Sequence, residues 1–126
     1  MAKILIADDE PEMVILLEQI FEELEDKGVK LLTAGNGLQA LEAIKTEKPD
    51  LVLLDFMMPG MDGFGVCNII KNELGMKDVY VLMLTADGQE LNKHTSKDVG
   101  ADGFMTKPFD PDELIKVVSK VLGIEL

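Results

Sequence analysis

The sequence contains no arginine: all twelve of its basic residues are lysines, set against 24 acids, for a formal net charge of −12. A nucleic-acid interface needs a basic face, usually rich in arginine, so this chain is not expected to bind nucleic acid. Adsorption to an anionic membrane surface is disfavoured for the same reason. Cys67 is the only cysteine, so no internal disulfide can form and a reducing compartment is expected. Its simplest reading is a small buried hydrophobe, not a nucleophile. His94 is the only histidine and lacks partners for a metal site, so it reads as a surface residue. No apolar run approaches the length of a membrane span. Met1 to Ala7 is too short an apolar run for a signal peptide, and acids follow at once. There is no internal repeat, linker or low-complexity stretch. Residues 1–126 are expected to form one cytoplasmic domain.

What the chain does have is a set of short apolar runs that end in polar groups. The most informative is Leu51-Val52-Leu53-Leu54, which stops abruptly at Asp55. Four apolar residues without polar alternation predict a strand buried on both faces, as in a parallel sheet. Pro59-Gly60 and Asp62-Gly63 then turn the chain. Ile4 to Ala7 is a similar run ending in Asp8-Asp9-Glu10, and Pro11 suits the first turn of a helix. Leu17, Ile20, Phe21 and Leu24 recur on one helical face, closed by Gly28. A second strand is predicted over 30–34. A helix capped by Asn36 follows, with Leu38, Leu41 and Ile44 inward. Asp62 caps a helix over 64–74 whose apolar side is Val66, Ile69 and Ile70. Val79 to Leu84 is a strand leading into Thr85, and a polar helix is predicted over 89–99. Asp102 introduces a short strand over 103–106, before Lys107-Pro108-Phe109. A last helix starts at Pro111 with Leu114, Val117, Val118 and Val121 on its inner face.

Five strands alternating with five helices predict an α/β fold, a single doubly wound parallel sheet with helices on both faces. In such a sheet the carboxyl ends of the strands share one edge. Asp8, Asp9, Asp55, Thr85 and Lys107 would then converge. Carboxylates that close repel one another, and a hard cation with oxygen ligands relieves the repulsion. A carboxylate nucleophile beside such a cation, a lysine and a hydroxyl is a phosphoryl-transfer arrangement. Simpler roles exist for each residue alone. Asp9 or Glu10 could cap the first helix, Lys107 could be a loop lysine, and Met57, Met58 and Met61 could fill the core.

Taken together and in this order, Asp8-Asp9, Asp55 with Met58-Pro59 and Asp62-Gly63, Thr85-Ala86, and Lys107-Pro108-Phe109 resemble the receiver domain of two-component response regulators over essentially the whole chain. The resemblance implies a flavodoxin-like strand order 2-1-3-4-5. It implies that Asp55 is the phospho-acceptor, and that Asp8, Asp9, Asp55 and the backbone carbonyl of Met57 hold Mg²⁺, with Mn²⁺ as a substitute. Lys107 would pair with the phosphoryl group. Thr85 would sense it, and Phe104 would follow as the switch aromatic. Having Phe rather than Tyr at 104 removes a hydroxyl, so the unphosphorylated state is expected to lean toward the active one. Met57 and Asp87 flank the reacting group, and apolar Met57 predicts slow self-dephosphorylation.

The implied partners are a sensor histidine kinase or histidine phosphotransfer protein, and an effector. The effector is either a separate protein or a C-terminal domain absent from this chain. The chain would catalyse only its own phosphorylation and dephosphorylation, and so is not an enzyme acting on a separate substrate. Without arginine the usual arginine–acid dimer pairs are missing, so a monomer or a weak phosphorylation-dependent dimer is expected. Two other classes compete. A flavin-nucleotide protein would need a phosphate-cradling loop where Asp8-Asp9-Glu10 stands. An aspartate-nucleophile phosphatase would need a cap over its substrate.

Overall fold

The structure, a computed structural model, describes residues 2–86 and 99–125. Of the predicted helix over 89–99, all but Val99 lies outside the described residues, as do His94 and Asp87, which was expected to flank the reacting group. Five parallel strands form one sheet: β1 (Lys3–Ala7), β2 (Lys30–Ala34), β3 (Leu51–Asp55), β4 (Tyr80–Ala86) and β5 (Gly103–Lys107). Their order is β2-β1-β3-β4-β5. Among the described residues the α-helices are α1 (Pro11–Ile20), α2 (Glu22–Asp26), α3 (Gly37–Glu47), α4 (Gly63–Asn68) and α5 (Pro111–Leu122). No helix among the described residues is long and apolar enough to cross a membrane.

The inner strands β1, β3 and β4 bury both faces, as their unbroken apolar runs require, while the edge strands β2 and β5 are only partly buried. Along β1, Leu5 and Ala7 join one core while Ile4 and Ile6 join the other. Along β3, Val52 and Leu54 face the first core, and Leu51 and Leu53 the second. The first core is completed by Ala40 and Ile44 of α3 and by Val66 and Cys67 of α4. The second takes Leu17 of α1, Leu24 of α2, and Leu114 and Val118 of α5. Helices therefore cover both faces. This is what a parallel sheet demands, since neither of its faces can meet water.

The helix signals act where the chemistry predicts. Asn36 Oδ1 accepts the Gln39 N–H at 2.8 Å, and Asp62 Oδ1 accepts the Gly65 N–H at 2.9 Å. Asp110 caps α5 through the Asp112 N–H at 2.9 Å. Each satisfies one orphan donor at a helix start.

Three details depart from the sequence reading. The first predicted helix is two segments, because Phe21 (φ −91°, ψ 9°) leaves helical geometry between α1 and α2. Ile44 is buried and Leu41 packs against the core as expected, but Leu38 is 63% exposed, and Gly37 and Ala40 take the inward positions at the start of α3. The helix over 64–74 begins as α4 and then widens into a π turn over Ile69–Glu73. The wider turn shifts the inward face, so Ile69 is only half-buried while Lys71 is 8% exposed.

Candidate functional site

The strand order reverses direction between β1 and β3, and this is where open α/β sheets place their ligands. β1 runs out into Asp8, β3 ends on Asp55, β4 carries Thr85 next to its end, and β5 ends on Lys107. The four meet at one edge. Asp8, Asp55 and Thr85 are 2%, 5% and 1% exposed, so this polar cluster is buried rather than solvated. Lys107 was expected in a loop but extends β5, and the strand fixes its reach. Its Nζ lies 3.3 Å from Asp8 Oδ2 and 3.3 Å from Asp55 Oδ1. The Lys107-Pro108 peptide is cis.

The loop after Asp55 folds back tightly. The Phe56 ring packs on Phe64 with centroids 4.3 Å apart. A β-carbon on Gly63 would sit 2.7 Å from the Asp55 carbonyl oxygen and 2.9 Å from Met83 Sδ, so only glycine fits there. The Met57 N–H points back at Asp55 Oδ1, 3.4 Å away. The Met57 side chain is 66% exposed, which rules out core filling, whereas Met58 is buried.

One ammonium does not balance the carboxylates gathered here. Burial and the neighbouring Asp8 charge push the Asp55 carboxyl up to about 6, against the pull of Lys107. Burial alone would lower the Lys107 pKa, but Asp55 and Asp8 outweigh it and hold the ammonium above the usual lysine range. Carboxylate oxygens of Asp8, Asp9, Glu10 and Asp55 all lie within 4.8 Å of one another. The donor set is entirely oxygen, anionic and partly exposed, which fits a hard divalent cation. Glu10 was read only as a cap. It does take the N-cap position of α1, yet its side chain makes no capping bond. The signal that would have flagged it is the third consecutive acid in Asp8-Asp9-Glu10.

Thr85 Oγ1 is buried with no hydrogen-bond partner among the described residues. A buried hydroxyl without a partner costs free energy, roughly 1–3 kcal/mol, unless something arrives to accept its hydrogen bond. Phe104 is half-buried against the core on the α3 and α4 side, paired in register with Met83. Cys67 is fully buried and its thiol is pushed up to about 11 by burial, so it packs as an apolar residue.

Known proteins resemble this chain in both sequence and fold. The family described as "Response regulator receiver domain" matches residues 4–119. The alkaline phosphatase synthesis transcriptional regulatory protein PhoP of Bacillus subtilis is 42% identical over 120 residues, covering 95% of this chain and 48% of that protein. The chain thus spans about half the length of the curated relatives it matches. The Francisella response regulator 1452 receiver domain superposes with a TM-score of 0.86 at 32% identity, covering 98% of each chain. The receiver domain of sensor histidine kinase PA1611 from Pseudomonas aeruginosa has the same fold, with a TM-score of 0.84 at 23% identity over 97% of this chain and 98% of that one. That structure has a magnesium ion coordinated in its active site cleft. This chain belongs to the response regulator receiver domain family of two-component signalling.

Proposed function

We propose that Asp55 accepts a phosphoryl group from a histidine kinase or a histidine phosphotransfer protein. The observation that carries this reading is the bridging position of Lys107, 3.3 Å from both Asp8 and Asp55, at the buried mouth of β3. An ordinary loop lysine would extend into solvent. This one is held at the place where phosphoryl oxygens would gather charge.

The roles follow from charge and position. Asp55, ionised above about pH 6, attacks phosphorus, and the bond from phosphorus to the donor nitrogen or acyl oxygen breaks with its electron pair. Lys107 shifts from the carboxylates to the phosphoryl oxygens and offsets their charge. The unpartnered Thr85 hydroxyl donates to one of them. Asp8, Asp9, Asp55 and the Met57 carbonyl would hold Mg²⁺, with Mn²⁺ able to replace it. Bound there, the ion supplies positive charge to both the carboxylates and the transferring group.

The new acyl phosphate then biases a two-state element. Thr85 moves inward, Phe104 follows, and the surface formed by the predicted helix over 89–99, β5 and α5 changes its partner preference. The chain acts only on itself in this scheme and is not an enzyme for a separate substrate. It works in the cytoplasm, as a monomer or a weak phosphorylation-dependent dimer. Its output passes to an effector protein or to a C-terminal domain.

The test is intact mass after incubation with acetyl phosphate, with and without Mg²⁺, beside Asp55→Asn. We expect one phosphoryl group gained, dependent on Mg²⁺ and absent from the variant. A gain that survives Asp55→Asn would overturn the assignment.

A further inference from the structure

We infer that Glu10 is a fourth carboxylate of the cation site, acting on Mg²⁺ through its water shell and reaching a larger cation such as Ca²⁺ directly. The inference rests on the reading above that Asp8, Asp9 and Asp55 hold a divalent ion.

The bonding of the cluster singles Glu10 out. Both Asp8 oxygens are already engaged: Oδ1 accepts the Glu10 N–H at 2.9 Å, and Oδ2 faces Lys107 at 3.3 Å. Asp55 Oδ1 is shared between Lys107 at 3.3 Å and the Met57 N–H at 3.4 Å. The Asp9 and Glu10 carboxylates are exposed and have no hydrogen bond or ion pair among the described residues. Glu10 nevertheless offers an oxygen within 4.8 Å of the other three. It is not there as a cap, since its side chain makes no capping bond.

The backbone fixes its position. Pro11 starts α1 and holds Glu10 extended (φ −96°, ψ 110°). The Glu10 carbonyl accepts the Met13 N–H at 3.0 Å and the Val14 N–H at 3.2 Å. The residue is therefore anchored by its main chain while its carboxylate remains free toward the site.

Mg²⁺ gives up water reluctantly and prefers few protein ligands. Ca²⁺ takes six to eight oxygens in flexible geometry. A long, free carboxylate at the rim therefore matters more for the larger ion. Its charge also adds affinity for either ion, as outer-shell partners generally do.

The experiment is calorimetric titration of Mg²⁺ and of Ca²⁺ into the full chain without any phosphodonor. It compares wild type, Glu10→Gln, Asp8→Asn and a control, Glu12→Gln, which removes the same charge from the first turn of α1 outside the cluster. For Glu10→Gln we expect about threefold weaker Mg²⁺ binding and about tenfold weaker Ca²⁺ binding. Glu12→Gln should stay close to wild type. If Glu10→Gln titrates like Glu12→Gln while Asp8→Asn loses binding, the role of Glu10 is refuted and the metal site stands. If wild type binds neither cation, the metal site itself fails and this inference with it.

Discussion

Lys71, which is buried, and Lys107, which is partly buried, meet carboxylates at opposite edges of the sheet, and the two settings differ. Lys71 lies near the amino ends of β4 and β5. Its Nζ is 2.8 Å from Asp102 Oδ2 and also donates to the Val79 carbonyl. Asp102 Oδ2 in turn accepts the Val81 N–H at 2.8 Å. One cation meets one anion, and the remaining polar atoms find backbone partners. Lys107, at the carboxyl edge, faces two carboxylates at 3.3 Å, with Asp9 and Glu10 close by. The first pair is balanced and closed. The second is overcharged and open, and under the proposed function that imbalance would be met by a cation and a phosphoryl group. An ion-paired lysine is thus not a functional signal in itself; unmatched charge around it is.

The largest effect is expected at Lys71. Removing one partner of a buried pair strands the other, at a cost of about 3–5 kcal/mol when both are fully buried. Asp102 is one-third exposed, so Lys71→Ala should fall near the lower end, about 3 kcal/mol, by urea unfolding. The folded fraction should still accept phosphoryl groups normally. Lys107→Ala should show the reverse pattern. Aspartyl phosphate formation should slow about a hundredfold, roughly 2.7 kcal/mol of barrier. Unfolding stability should change by less, because Lys107 now offsets a repulsion rather than completing a pair.

Asp55→Asn sharpens the contrast further. The folded chain holds the Asp55 proton more tightly than the unfolded chain, about 6 against 3.8. Ionised Asp55 therefore costs stability above about pH 6, and that cost fades as pH falls toward 4. Without divalent ions, Asp55→Asn should be the more stable protein at pH 7 to 8, by on the order of 2 kcal/mol. The gap should close near pH 4, as thermal unfolding across pH would report. The smallest effect should come from Met57→Asn. A polar side chain at this exposed position can orient the hydrolytic water, so loss of the acyl phosphate should quicken a few-fold, about 1 kcal/mol. An unchanged decay rate would remove Met57 from the account.

These residues also mark how far the sequence could be read. Asp55 and Asp8 were legible because an acid after an unbroken apolar run has no packing role. The inner strands β1, β3 and β4 were legible for the same reason: runs such as Leu51 to Leu54 suit only a sheet covered on both faces, whereas the edge strands β2 and β5 carry no such run. Lys71 was not legible. Its inward turn depends on the π widening over Ile69–Glu73, and an ideal helical period would place it outside. Leu38 failed because the close-packed start of α3 uses Gly37 and Ala40, small residues that a search for large apolar side chains passes over. Glu10 was hidden by a sound alternative, since acids at helix starts are common for reasons of capping alone. Only the geometry separates its N-cap position from the missing capping bond.

The unbalanced edge is expected to make Asp55, and no other acid in the cluster, the acceptor. The most direct test is chemical. The protein is phosphorylated with acetyl phosphate and Mg²⁺, reduced with borohydride, which converts a phosphorylated aspartate to homoserine, and digested for peptide mass mapping. The account predicts homoserine at position 55 alone. Homoserine at Asp8 or Asp9, with Asp55 intact, would contradict it.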